Sequence, residues 1–233
     1  MLLISVIIPA YNEEPNLGLV LEDTKHILQK MGVPHEIIVV NDGSRDDTAN
    51  VARKHSVILI DYDKNLGKGA ALIKGFRRAR GNIVVTMDAD GSHRAEDIPF
   101  LLSPMLNGGS LEAIVGSRFV DEKGRRSTSS LHLIGNRIIN ALILMATGRY
   151  ISDSQSGFRA YKKNALGKIA LHSSGFDIES EMTIKMLKKG FKFMEIPIRC
   201  DPRMNGLTRV NAFQDGFNIV KTIIKATIYS FLG

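Results

Sequence analysis

"GNIVVTMDADGSHRAEDIPFLLSPML", residues 81–106, holds one complete structural unit. The apolar run Ile83–Met87 reads as a buried strand, Gly91 as a turn, and residues 95–106 as a helix. Between strand and helix stand Asp88 and Asp90, separated by Ala89. Strand residues alternate faces, so both carboxylates point the same way and repel. A capped turn accounts for a lone D-x-D. A hard divalent cation accounts for it as well, because magnesium is usually held by one or two carboxylates plus a substrate's phosphates.

Working outward, the same unit recurs. Strands are expected at 2–10, 36–44, 57–63 and 111–119; a helix with apolar positions Leu17, Val20, Leu21, Ile27 and Leu28 follows the first, and helices at 45–55 and 69–79 follow the next two. Short apolar strands alternating with helices make βαβ units and a mostly parallel, Rossmann-like α/β sheet. Ligands of such sheets bind beyond the carboxyl ends of the strands. Those ends carry the polar signatures Tyr11-Asn12-Glu13, Asn41-Asp42-Gly43-Ser44, Asp61 with Asp63, and Asp88-Ala89-Asp90. Stability does not require acids at four successive strand ends. Ser44 reads as a cap of the next helix, whereas Asp42 suits a nucleoside N–H or a ribose hydroxyl.

The second half is less regular. Residues 120–130 read as a mobile loop, and an apolar helix follows to about Thr147. A loop is expected at 148–161, a helix at 177–189, a strand at 191–199, a basic loop at 200–209, and a last helix.

The 233 residues are 44% hydrophobic, enough for one large core. A net charge of +7 suits anionic partners such as phosphates or acidic lipid. With no Trp and no interleaving of aromatic and basic residues, nucleic-acid binding is not expected. The single cysteine, Cys200, excludes an internal disulfide and multi-cysteine zinc sites, pointing to a reducing, cytoplasmic setting. No signal peptide or spanning helix is expected, since residues 133–148 contain Asn136, Arg137 and Asn140. "NLGKGAAL", 65–72, is neither a dinucleotide fingerprint nor a P-loop. Its Gly67 and Gly69 are expected to let backbone approach a ligand, with Lys68 near phosphate.

Six blocks occur in order: "VIIPAYNEE", "VVNDGSRDDT", "NLGKGAAL", "MDADGSH", "GSRF" and "DSQSGFRAY". Together they resemble the family 2 inverting glycosyltransferases of GT-A fold, and among these the polyprenyl-phosphate (dolichol-phosphate) mannose and glucose synthases. The resemblance spans about residues 3–210. It implies a GT-A domain over 1–210 and an amphipathic C-terminal helix over 211–233. The implied reaction moves a hexose, mannose before glucose, from a nucleotide sugar (GDP-mannose or UDP-glucose) to polyprenyl phosphate.

By position, the resemblance implies that Pro9, Tyr11, Glu13 and Asp42 hold the nucleoside, with Lys68 close by. It implies that Asp88 and Asp90 bind Mg²⁺ or Mn²⁺ and the diphosphate. Where the mannose synthases carry a glutamine, this chain has the shorter Ser92, followed by a matching His93. A late family pattern matches Pro197, Ile198, Arg203, Gly206, Thr208 and Arg209, and its basic residues would close over the diphosphate.

A lipid phosphate is already anionic at neutral pH, its second pKa being near ~6, so no strong general base is needed. Cations on the acceptor side are needed. Arg118 and Arg159 are the candidates, with His132 and Arg137 behind them. Asp153 is expected to orient Arg159, to pair with it structurally, or to act as base.

On the last helix Phe213, Phe217, Val220, Ile224, Ile228 and Phe231 form an apolar stripe beside Lys221 and Lys225. Such a face suits the surface of an anionic membrane, and it also suits core packing or a homodimer. Many relatives continue into transmembrane helices where this chain stops, so peripheral attachment, or attachment through a membrane partner subunit, is expected. The alternatives are transfer to a sugar or protein hydroxyl, with Asp153, Asp177 or Glu179 as base, and an inactive membrane-binding partner.

Overall fold

The computed structural model describes residues 2–120, 130–206 and 212–229. Seven strands form one sheet: β1 (Ile4–Ala10), β2 (His35–Asp42), β3 (Ile58–Tyr62), β4 (Ile83–Thr86), β5 (Ala113–Ser117), β6 (Arg159–Lys162) and β7 (Phe193–Pro197). Their order is β3-β2-β1-β4-β6-β5-β7. All run parallel except β6, which is antiparallel to both β4 and β5.

The mostly parallel α/β sheet is as expected, with one correction. The fifth strand does not extend the parallel series beside β4. "SGFRAY", expected within a loop, supplies the reversed strand that wedges between β4 and β5. Six strands therefore deliver their carboxyl ends to one edge. The reversed β6 begins at that same edge, which brings residues 152–158 onto it.

Three helices follow the first three strands: α1 (Glu14–Lys30), α2 (Thr48–Lys54) and α3 (Lys68–Arg78). After β4, a short 3₁₀ turn leads into α4 (Ile98–Leu106). The second half adds α5 (Ser130–Thr147), α6 (Lys163–Leu166), α7 (Ile178–Lys188) and α8 (Ala212–Tyr229). Period-2 alternation divides the core between the two sheet faces. Val6, Ile8, Val39 and Val85 pack with Leu17, Leu21, Ile98 and Leu101 of α1 and α4. Ile7, Ile38, Val40 and Val84 pack with Leu72 and Phe76 of α3 and Met182 and Met186 of α7.

A third cluster joins Ile139 and Ile143 of α5, Ile184 of α7, and Ile219, Ile223 and Ala226 of α8. Helix α8 thus has two apolar faces. One is core, and the other leaves Phe217 70% and Ile224 54% exposed. Ile228 is exposed as well, and Val220 is half-buried. Residues 121–129, Phe231 and the side chain of Phe213 lie outside the described residues. No described helix is long and apolar enough to cross a membrane.

Candidate active site

The acids of the 88–90 turn meet cations from distant segments. Lys68, the first residue of α3, places Nζ 2.7 Å from Asp88 Oδ1 and 2.8 Å from Glu179 Oε1 on the first turn of α7. Burial works against both charges, but the pairing prevails: Asp88 is held down at about 2, and the Lys68 ammonium is pushed above its ordinary value. Gly157, of the segment entering β6, lies directly against this pair. A Cβ there would come within 2.9 Å of both Asp88 Oδ2 and Lys68 Nζ. Thr86 Oγ1 donates to the Gly157 carbonyl at 2.8 Å and fixes the segment to the end of β4.

His93 serves as scaffold within the turn. It is buried, stacks on Phe158 at 5.2 Å, and accepts from the Asp88 N–H at Nδ1, 3.0 Å away. Burial lowers its pKa, which keeps the ring in the neutral form able to accept. Asp90 Oδ1 accepts from the Ser92 N–H at 3.0 Å.

A strap from residues 200–206 crosses the turn. Arg203 donates to Glu13 Oε1 at 2.6 Å and to the Asn205 carbonyl at 2.7 Å, and its Nη1 stands 3.5 Å from Asp90 Oδ2. The Met204 N–H donates to the Asp90 carbonyl at 3.1 Å, and Arg94 forms a bidentate pair with Asp201 at 2.6 and 2.8 Å. Gly91 adopts φ 76°, where a side chain would be strained and would strike Met204. Glu13 is buried, and that burial raises its pKa against the pull of Asn16 and Arg203.

Across the edge, Arg118 makes a bidentate ion pair with Asp153 at 2.7 and 2.8 Å, and its backbone N–H donates to the same carboxylate. Asp153 is fully buried; Asn136 Nδ2 approaches its Oδ1, which also accepts from Arg118, at 3.3 Å. Glu195 of β7 supports this pair by accepting from the N–H groups of Ser152 and Asp153.

Three expectations are corrected. Arg159 does not face a ligand or pair with Asp153. Only 1% exposed, it donates to the Ser154, Ser156 and Glu179 carbonyls and to Thr183 Oγ1, because β6 places it inside the sheet. Gly67 and Gly69 admit backbone of this chain, not a ligand: a Cβ at Gly67 would strike the Ser174 carbonyl oxygen, and one at Gly69 that of Ser173. Ser44 does not cap α2; its hydroxyl accepts from the Asn12 N–H.

Asp42 is buried and accepts from the Leu66 and Gly67 N–H groups, Asn65 Nδ2 and the Tyr62 hydroxyl, so it shapes the 62–67 turn. Pro9 and Tyr11 lie half-buried at the end of β1. Arg137 is exposed on α5; Thr208, Arg209 and the His132 side chain lie outside the described residues. Sequence reasoning missed the counter-ion role of Glu179, the support from Glu195 and the close approach of Gly157. The one available signal was an acidic pair, Glu179 and Glu181, inside an apolar helical run.

Among the described residues no group of three His, Cys, Asp or Glu could hold a metal ion. Two hard carboxylates, 29% and 22% exposed at the side chain, nevertheless fit a divalent cation that takes its remaining ligands from a diphosphate.

A family model, Glycosyl transferase family 2, matches residues 5–170. An uncharacterized protein of Methanocaldococcus jannaschii is 34% identical over 97% of this chain and 93% of its own length. UDP-N-acetylglucosamine–dolichyl-phosphate N-acetylglucosaminyltransferase of Methanococcus voltae is 32% identical over 93% of each chain. Polyprenol monophosphomannose synthase of Mycolicibacterium smegmatis is 31% identical over 98% of this chain and 87% of its own. Glucosyl-3-phosphoglycerate synthase from Mycobacterium tuberculosis, solved with Mn²⁺, uridine diphosphate and phosphoglyceric acid, shares the fold. Its TM-score is 0.76 at 21% identity, over 96% of this chain and 78% of that one.

Proposed function

The chain belongs to glycosyl transferase family 2, and on that premise we propose that it transfers a hexose from a nucleotide-diphosphate sugar to polyprenyl (dolichyl) phosphate, inverting the anomeric centre. Mannose from GDP-mannose is the first reading of the sugar and glucose from UDP-glucose the second. One observation carries the acceptor assignment: Arg118 is held by a fully buried carboxylate across the edge from the Asp88–Asp90 turn. Each candidate base of a hydroxyl-directed enzyme already has a partner. Asp153 holds Arg118, Glu179 holds Lys68, and Asp177 accepts from the Thr222 hydroxyl at 2.7 Å. An acceptor that arrives as an anion needs none of them.

In this reading Pro9, Tyr11, Glu13 and Asp42 border the nucleoside, and Lys68 stands beside the diphosphate. Asp88 and Asp90 hold Mg²⁺ or Mn²⁺, which when bound neutralises charge on the leaving diphosphate. Arg203, with Arg209 after it in sequence, moves from the acids to the diphosphate oxygens and stabilises the charge that develops there. Arg118, oriented by Asp153, binds the acceptor phosphate and aligns its oxygen on the anomeric carbon. The wall formed by Gly157 and the buried Arg159 keeps the Asp88–Lys68 pair in register.

Residues 1–210 act as the transferase domain, and 211–233, with helix α8, as the part that meets the cytoplasmic face of a membrane. Exposed Phe217, Ile224 and Ile228 on α8, with Ile134, Ile138 and Met145 on α5, support that peripheral placement. The test is a donor panel: purified protein with polyprenyl phosphate, Mg²⁺ or Mn²⁺, and labelled GDP-mannose, UDP-glucose or UDP-N-acetylglucosamine. Label entering the organic phase with one donor, and stopped by EDTA, supports the reading. Donor binding without lipid labelling removes the acceptor assignment.

A further inference from the structure

The loop 169–175, helix α7 and helix α8 enclose a groove of about 1090 Å³ that runs from the first turn of α7 to its far end. Five lysines line it: Lys185, Lys188 and Lys189 from the end of α7, and Lys221 and Lys225 from α8. Two carboxylates also line it, and both are engaged. Glu181 pairs with Lys185 at 2.5 Å and accepts from the His172 and Ser173 N–H groups, while Asp177 accepts from Thr222. Lys189, Lys221 and Lys225 are exposed and form no ion pair among the described residues. Like charges gathered in a concave surface raise the local concentration of anions.

The neighbouring surface identifies the anion. At 100° per residue, Lys221 and Lys225 follow directly on the exposed stripe of Phe217, Ile224 and Ile228 on the same helix. A groove for headgroup phosphates bordered by side chains for acyl chains is the chemistry of an anionic bilayer. We infer that this groove seats the headgroup of an anionic membrane lipid and so docks the protein on the bilayer. The groove is distinct from the acceptor site, since neither Arg118 nor Asp153 lines it, and its Lys189 lies ten residues, or about 15 Å of helix, beyond Glu179 and the pair with Lys68. The inference rests on the reading that this chain works at a lipid surface, but its test needs neither donor nor acceptor.

Co-sedimentation of the whole protein is measured with vesicles of phosphatidylcholine alone and with vesicles containing phosphatidylglycerol. Wild type is expected on the anionic vesicles. The variant Lys189→Gln/Lys221→Gln/Lys225→Gln should lose at least about tenfold in partitioning, since each lysine near an anionic surface is worth about fivefold. A control, Lys25→Gln/Lys30→Gln/Lys54→Gln on α1 and α2, should partition as wild type. Circular dichroism of both variants should match wild type. Loss of the fold in the groove variant would show these lysines to be structural and overturn the inference. Equal loss in the control, no loss in the groove variant, or equal binding to neutral vesicles would also overturn it. So would displacement by inorganic phosphate where chloride of equal ionic strength has no effect, since the groove would then serve a soluble phosphate. Transfer to lipid phosphate that persists while vesicle docking fails would remove this inference alone.

Discussion

Arg203 donates to Glu13 at 2.6 Å across 190 positions of sequence, and with its other terminal nitrogen stands 3.5 Å from Asp90. The strap is therefore latched onto the acids by the cation that the proposed reaction needs at the diphosphate. Arg203→Ala should lower kcat/KM for the donor about 100-fold, as for removal of one preorganised donor. Glu13→Gln should release the strap, making residues 200–206 more accessible to proteases without donor. Steady-state kinetics and limited proteolysis check the two arms, and unchanged values in both would separate the strap from catalysis.

Asp88→Ala and Asp90→Ala should each abolish transfer while the far-ultraviolet circular dichroism stays that of wild type. Removing the metal with EDTA should abolish wild-type transfer and leave nothing further to lose in either variant. A wild-type rate in either variant would end the assignment of the turn.

Asp88 also gives a pH dependence with a defined sign. Its carboxyl is held at about 2 in the fold, below an ordinary value of about 3.9. Stability from the ionised form is complete above about pH 4 and is lost as the pH falls toward 2. At a side chain 29% exposed, solvent screening reduces this to roughly 1–2 kcal/mol. Urea unfolding of wild type and Asp88→Asn should show that gap at pH 6 and a smaller one at pH 2.5. A constant gap would mean that Lys68 does not hold the charge.

Asp153→Ala should cost about 3 kcal/mol, because it leaves the largely buried Arg118 without its counter-charge. Arg118→Lys keeps a charge but loses the fork that Asp153 holds, and should raise KM for polyprenyl phosphate more than KM for the donor. An equal rise in both would place Arg118 outside the acceptor site.

Gly157→Ala should retain the fold and lose at least tenfold in kcat, since its Cβ would push Lys68 from Asp88. Gly67→Ala meets a backbone carbonyl that cannot yield, and its φ is 97°, so the loss appears in stability, at about 1–3 kcal/mol. Thermal melts beside kinetics separate the two, and a destabilised Gly157→Ala with normal kcat would reverse the interpretation.

Much of this molecule was legible because its signals are local. Apolar runs of strand length, helical periodicity and glycine turns depend on neighbours in sequence, so the alternating α/β half, the strand-end acids and the paired Asp88 and Asp90 follow from the chain alone. The stripe on α8 was legible as amphipathic for the same reason, but periodicity does not say which apolar face meets the core.

Only the tertiary structure decided where "SGFRAY" goes, since a four-residue strand between β4 and β5 takes its register from long-range pairing. That one placement buries Arg159, sets Gly157 on the Asp88–Lys68 pair, and gives Asp153 to Arg118. Sequence ranks charged residues by type and spacing. Which cation meets which acid across more than a hundred positions depends on where the sheet brings their backbones, and electrostatic energy at 3 Å far exceeds any preference encoded locally.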